Sequence, residues 1–284
     1  MPELPELEGL AAWVNTDLAG RRVDEVRLRS VAALKTFDPP ISTLAGRTVG
    51  PAGRRGKYLH ISMGDLLLVT HLSLGGWLRW SPGATTRKPS LRGPIIAEVR
   101  LDGGSLDLTE HGKEKRLAIW VVRRLEDVPR IGDLGPEPLD PNLALDDFTE
   151  RVRAAPGTIK HVLADQRVIA GIGNAYSDDI LHAARLSPFL RAARLDGDQI
   201  GGLYEAMRTV LNDAVAESVG VSGGKLKEIK RAHFRVHGRA GAPCPACGDA
   251  IRPVWMGERS FEYCPNCQTG GRVYADRRLS RFLK

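Results

Sequence analysis

The chain has 284 residues, 42% of them apolar, and 41 Lys plus Arg stand against 34 Asp plus Glu for a formal net charge of +7. That length supports two or three domains with cores of their own, and no run approaches the eighteen-plus apolar residues of a membrane-spanning helix. The positive balance suits a polyanionic partner, and an N-terminus that opens on acids instead of a basic leader leads us to expect a cytoplasmic protein.

The first stretch is Met1-Pro2-Glu3-Leu4-Pro5-Glu6-Leu7-Glu8. Taken alone it reads as a helix start, with Pro5 in the first turn and carboxylates at the positive end of the dipole. It also permits chemistry. With Met1 removed, Pro2 would present a secondary amine that titrates near pH 8, with Glu3 beside it as proton donor or acceptor. Residues 7–19 carry Leu7, Leu10, Ala11, Val14 and Leu18 at helical spacing and end at Gly20.

Short β-patterned pieces follow at 23–28, 48–50, 58–62, 66–70, 76–80, 95–101, 105–109 and 118–123, with turn-formers such as Asp102-Gly103-Gly104 between them. Many short strands at regular spacing predict an antiparallel sandwich or barrel. Residues 129–141 are rich in Pro, Gly and Asp and read as a linker. Beyond them the period becomes helical, over 146–154, 159–164, 175–184, 199–218 and 224–231. Within this part, Gly171-Ile172-Gly173-Asn174 is a Gly-x-Gly turn opening onto a helix, which serves equally as a steric connection or as an anion site. A dinucleotide fingerprint is rejected, because the third glycine and the preceding strand are missing.

All four cysteines lie in the last fifth of the chain. Cys244-x2-Cys247 and Cys264-x2-Cys267 are sixteen residues apart. Two-residue spacing lets both thiolates of a knuckle reach one tetrahedral ion, so the set predicts a single structural zinc with no open ligand position. The segments 251–255 and 260–263 read as the two strands of the hairpin between the knuckles, with Arg259 at its tip.

Together these residues resemble the Fpg/Nei family of bifunctional DNA glycosylases (formamidopyrimidine-DNA glycosylase and endonuclease VIII), over nearly the whole chain from Pro2 to Gln268. The resemblance rests on the Pro-Glu-Leu-Pro-Glu start, Arg54-Arg55-Gly56-Lys57-Tyr58, His71-Leu72 before a Gly-rich turn, and Leu134-Gly135-Pro136-Glu137-Pro138-Leu139. Ile159-Lys160, Gly171-Ile172-Gly173-Asn174-Ala175-Tyr176 and the cysteine hairpin complete it. It implies an α+β multidomain fold with duplex DNA gripped between its halves. The expected domains are a catalytic β-sandwich (1–128), the linker (129–141), a helix–two-turn–helix domain (142–238), a zinc finger (239–270) and a basic tail (271–284).

The resemblance also implies roles. Pro2 would be the nucleophile, forming a Schiff base on a flipped nucleotide. Glu3 would be the proton shuttle, and Lys57, Asn174 and Arg259 the phosphate contacts, with Lys57 and Arg259 belonging to the catalytic set. Lys160 would lie near the lesion, and Leu74 would fill the void left by flipping. In the second void-filling loop the chain has Gly112-Lys113-Glu114-Lys115-Arg116-Leu117 where Fpg enzymes have Asp-Pro-Arg-Arg-Phe. The opposite-base reader there is Glu114 or Lys115 and the wedge Arg116 or Leu117. Asp179 stands where the family has glutamate. The stretch from Gly223 to Cys244 is short for a loop that caps 8-oxoguanine, which turns attention to oxidised pyrimidines and other lesions. The expected protein is a monomeric bacterial base-excision glycosylase with AP lyase activity on damaged or abasic double-stranded DNA, joining the nucleoid when bound. A damage-binding protein of the same fold with reduced catalysis is the alternative, and a zinc-ribbon module without catalytic ancestry ranks behind it.

Overall fold

The computed structural model describes residues 1–83, 94–256 and 259–274, without the side chains of Met256 and Arg259. The tail beyond Tyr274 and the hairpin residues Gly257 and Glu258 lie outside the described residues. Two compact units emerge. Unit one is Met1–Asp133 with Val215–Ile229; unit two is Leu134–Ala214 with Lys230–Lys284.

Unit one begins with α1 (Leu4–Asp17), three residues ahead of the start that apolar spacing indicates. The reason is local: the Glu6 carboxylate accepts the Glu3 backbone N–H at 2.7 Å, half of a capping box that starts the helix early. The strands are β1 (Val23–Leu28), β2 (Val49–Arg55), β3 (Tyr58–Met63), β4 (Leu66–His71), β5 (Gly76–Pro82), β6 (Ile95–Leu101), β7 (Gly104–Glu110) and β8 (Ala118–Val122). They form two four-stranded antiparallel sheets in the orders β1-β6-β7-β5 and β2-β3-β4-β8, the sandwich of the two architectures that the strand spacing allowed. β2 runs to Arg55 although Pro51 and Gly53 obscure it in the sequence; its register shifts between Val49 and Ala52, which accommodates the proline. Leu7, Leu10, Val14, Leu59, Ile61, Leu68, Leu78 and Ile119 share the core.

Unit two holds α2 (Leu145–Ala154), α3 (Ile159–Ala164) and α4 (Asn174–Ala183). The longer α5 (Gly197–Ser218) and α6 (Leu226–His233) follow, and each is divided between the units. Residues 215–229 belong with the sandwich for visible reasons. A Cβ on Gly9 would lie 2.7 Å from the Ser218 carbonyl oxygen, Leu226 is part of the unit-one core, and the Trp77 indole donates to the Gly223 carbonyl at 2.8 Å. The remaining elements are β9 (Arg252–Met256), β10 (Arg259–Tyr263) and the short α7 (Pro265–Thr269), too brief to show a period. Tyr274, expected in a tail, instead stacks on Phe189 at 4.0 Å and donates its backbone N–H to the Tyr263 hydroxyl oxygen at 2.8 Å.

Candidate active site and metal centre

Two side chains pin α1 to β2. Glu8 Oε1 is 2.8 Å from Arg54 Nε, and Asn15 exchanges two hydrogen bonds with the Ala52 backbone, at 2.7 and 3.0 Å. The early helix residue meets the later strand residue, so α1 runs antiparallel to β2 and its N-terminal end lies toward the β2–β3 turn. That turn is Gly56-Lys57, with Gly56 at φ +55, the left-handed value glycine adopts without strain in a two-residue hairpin. Pro2, Glu3 and Lys57 are all buried. His71 ends β4 opposite Tyr58, the two rings 5.0 Å apart. Burial, and then the Lys57 charge, push its pKa down to about 4, so it stands neutral at pH 7. His71 was not singled out for a role of its own, although the His71-Leu72 motif contained the signal.

Leu74 is 65% exposed on the turn between β4 and β5. The turn is tight: Ser73 has φ +51, and a Cβ on Gly75 would sit 2.0 Å from the His111 carbonyl oxygen. The His111 N–H donates to the Gly75 carbonyl at 3.1 Å, so the two expected void-filling segments adjoin. Glu110 shapes the second. Its Oε1 accepts from Arg116 N at 2.8 Å and Leu117 N at 3.0 Å, while Lys115 Nζ donates to the Glu110 carbonyl. Leu117 is 2% exposed in the core, which leaves exposed Arg116, paired with Glu114 at 2.5 Å, as the side chain available for a wedge.

In unit two Lys160 is turned inward. Its three ammonium protons go to the Asn174 carbonyl at 2.6 Å, Ser177 Oγ at 2.8 Å and Asp178 Oδ1 at 2.5 Å. Asp178 Oδ2 lies 2.7 Å from His237 Nδ1, which is also 3.1 Å from Glu262 Oε2. Burial opposes a charge on His237, but its bonds to Asp178 and Glu262 outweigh that and raise its pKa to about 9. Asn174 opens α4, and its amide donates to the Ser260 carbonyl in β10 at 2.7 Å. Arg259 starts β10 opposite Met256, with its side chain outside the description. Asp179 accepts the backbone N–H groups of Arg235, Val236 and His237 at 3.0, 2.9 and 3.2 Å, tying down the segment after α6. Sequence reasoning missed His237 and Glu262, because neither carries a local motif.

The four cysteine sulfurs all lie within 4.8 Å of one another, with Cys244–Cys267 at 3.8 Å and Cys247–Cys264 at 3.4 Å, and none is in a disulfide. A tetrahedral ion with Zn–S near 2.3 Å needs edges of about 3.8 Å, so the set fits one zinc with every position filled by protein. Behind it, His182 Nε2 is 3.2 Å from Cys244 Sγ.

Sandwich, helical segment and four-thiolate ribbon, in this order, make up the class that three family models describe. The formamidopyrimidine-DNA glycosylase N-terminal domain matches residues 1–124, its H2TH domain residues 134–224, and the zinc finger found in FPG and IleRS residues 241–270. An uncharacterized formamidopyrimidine-DNA glycosylase-like protein of Mycobacterium tuberculosis is 53% identical over 156 residues, 55% of this chain and 98% of that one. The formamidopyrimidine-DNA glycosylase of Moorella thermoacetica is 35% identical over 263 residues, 89% of this chain and 94% of its own. The Lactococcus lactis Fpg in complex with abasic-site DNA superposes with a TM-score of 0.81 at 25% identity, covering 94% of this chain and 99% of that one. The chain belongs to the formamidopyrimidine-DNA glycosylase family.

Proposed function

We propose that this protein is a base-excision repair glycosylase with AP lyase activity, acting as a monomer on oxidised bases and abasic sites in double-stranded DNA. The observation that carries the reading is the fixed N-terminal end of α1, which lies toward the Gly56-Lys57 turn and where Pro2 and Glu3 are buried. Once Met1 is removed, the Pro2 nitrogen lone pair bonds to C1′ of the flipped nucleotide as the C1′–base bond breaks and the base leaves with a proton. Glu3 protonates the sugar ring oxygen as the ring opens. The resulting iminium draws electrons from C2′, whose proton is lost as the 3′ phosphate departs, and a second elimination can follow on the 5′ side.

Lys57 meets the phosphate beside the lesion, and neutral His71 next to it can donate without adding charge. Asn174 and Arg259 supply further phosphate contacts, which set register and not sequence. Leu74 and Arg116 fill the void, and Lys115 faces the orphan base. Lys160 acts from behind, by holding the carbonyl of Asn174. Between Gly223 and Cys244 the chain is mostly α6 plus a segment tied to Asp179, which favours lesions that need no capping loop, oxidised pyrimidines among them.

Borohydride trapping on an abasic-site duplex tests the proposal. The Met1-free protein should form a covalent adduct and Pro2→Gly, which keeps only a primary amine at its N-terminus, far less. No adduct, or an equal adduct from Pro2→Gly, overturns it; tight binding without an adduct or strand cleavage would favour a damage-binding protein instead.

A further inference from the structure

Three polar residues of α4, Asn174, Asp178 and His182, recur at i, i+4 and i+8 and therefore share one face of the helix. Each reaches the zinc ribbon or the segment leading into it. Asn174 donates to the Ser260 carbonyl at 2.7 Å, Asp178 meets His237 at 2.7 Å beside Glu262, and His182 Nε2 lies 3.2 Å from Cys244 Sγ. His182 is 4% exposed and its Nδ1 has no partner among the described residues. A buried N–H without an acceptor is costly, so the ring spends its single N–H at Nε2 and points it at sulfur.

Cys244 needs such a donor. Four thiolates on one divalent ion leave the centre with two surplus negative charges, and a buried charge is stable only when hydrogen bonds or partners spread it. Cys264 receives the Cys267 backbone N–H at 3.5 Å. Cys247 is exposed to water. Cys244 is 3% exposed, and the imidazole is the side chain that reaches it from α4.

We infer that His182 is an outer hydrogen-bond partner of the zinc site, and that through it α4 couples metal binding to the position of Asn174, a phosphate contact of the function proposed above. The zinc half of the inference stands apart from that function; the DNA half rests on it. With the donor in place, the thiolate charge is drawn off Cys244 and the C-terminal end of α4 is fixed to the knuckle, while its N-terminal end is fixed to β10. Loss of the donor loosens both.

The test compares wild type with His182→Phe, which keeps the ring volume, and His182→Gln, which restores an N–H donor. Zinc transfer to a colorimetric chelator should be at least about tenfold faster for His182→Phe, within the range that loss of an outer hydrogen-bond partner produces, and intermediate for His182→Gln. With cobalt in place of zinc, the thiolate-to-cobalt charge-transfer band should move to longer wavelength in His182→Phe, since a sulfur without its hydrogen bond gives up electrons more easily. Zinc-saturated His182→Phe should bind a duplex containing a tetrahydrofuran abasic analogue several-fold more weakly, whereas Asn174→Ala should weaken that binding with zinc release unchanged.

Wild-type chelation kinetics and an unmoved cobalt band overturn the metal role. Faster release with unchanged duplex affinity overturns the coupling. If His182→Phe does not fold, His182→Gln and its cobalt spectrum decide the same question. Wild type that binds no abasic duplex counts against the proposed function and leaves the chelator comparison intact.

Discussion

Glu6 Oε2 accepts the backbone N–H of Glu3 at 2.7 Å, and both side chains are buried, Glu6 completely. The peptide carrying Pro2 is therefore held by a residue that takes no part in the chemistry proposed for it. Glu6→Ala should cost about 1 kcal/mol of stability, the usual cost of a lost cap. It should reduce borohydride trapping at least tenfold, because a small displacement of a nucleophile is heavily penalised. Denaturant melts and trapping on an abasic duplex measure the two effects; undiminished trapping would mean the cap does not position Pro2.

Lys160 and Asp178 form a buried pair at 2.5 Å, with side chains 5% and 0% exposed. Removing Lys160 leaves the buried Asp178 carboxylate with His237 as its remaining cationic partner among the described residues, so Lys160→Met should destabilise by up to about 3–5 kcal/mol, the cost of breaking a buried pair. Asp178→Asn added to it should recover part of the loss. Urea unfolding of the single and double variants gives the comparison, and additive losses would show that the two charges act independently.

His237 is raised from 6.5 to about 9 by Asp178 and Glu262 against the opposing effect of burial, with Lys160 the other charge in the cluster. The folded chain holds this proton more tightly than the unfolded chain. Its contribution is complete below about pH 6.5 and is lost as pH climbs through 9, on the order of 3 kcal/mol in all. Stability measured from pH 6 to 10 should fall over that window in wild type, with the fall removed in His237→Gln. Equal slopes would refute the assignment.

Leu74 is exposed on a turn whose shape is set by its backbone. Leu74→Ala should change stability by no more than about 0.5 kcal/mol. Base release from a single-lesion duplex should still fall several-fold, while cleavage of a preformed abasic site, which needs no base expelled, should change less. Equal losses on both substrates would argue against void filling.

What the sequence decided by itself is what neighbours within a few residues decide. The two-residue gaps at Cys244–Cys247 and Cys264–Cys267 set a metal knuckle, alternation set strands such as Tyr58–Met63, and the Gly171–Asn174 run set a turn onto a helix. Even there, a cap could shift a boundary, as Glu6 did for α1. The fate of a long polar side chain depends instead on groups brought from far along the chain. Lys160 donates its three hydrogen bonds into α4, Leu117 went to the core while Arg116 stayed outside, and His237 found carboxylates 59 and 25 positions away, at Asp178 and Glu262. Burying a charge is unfavourable until its partners are in place, and only the tertiary fold supplies them.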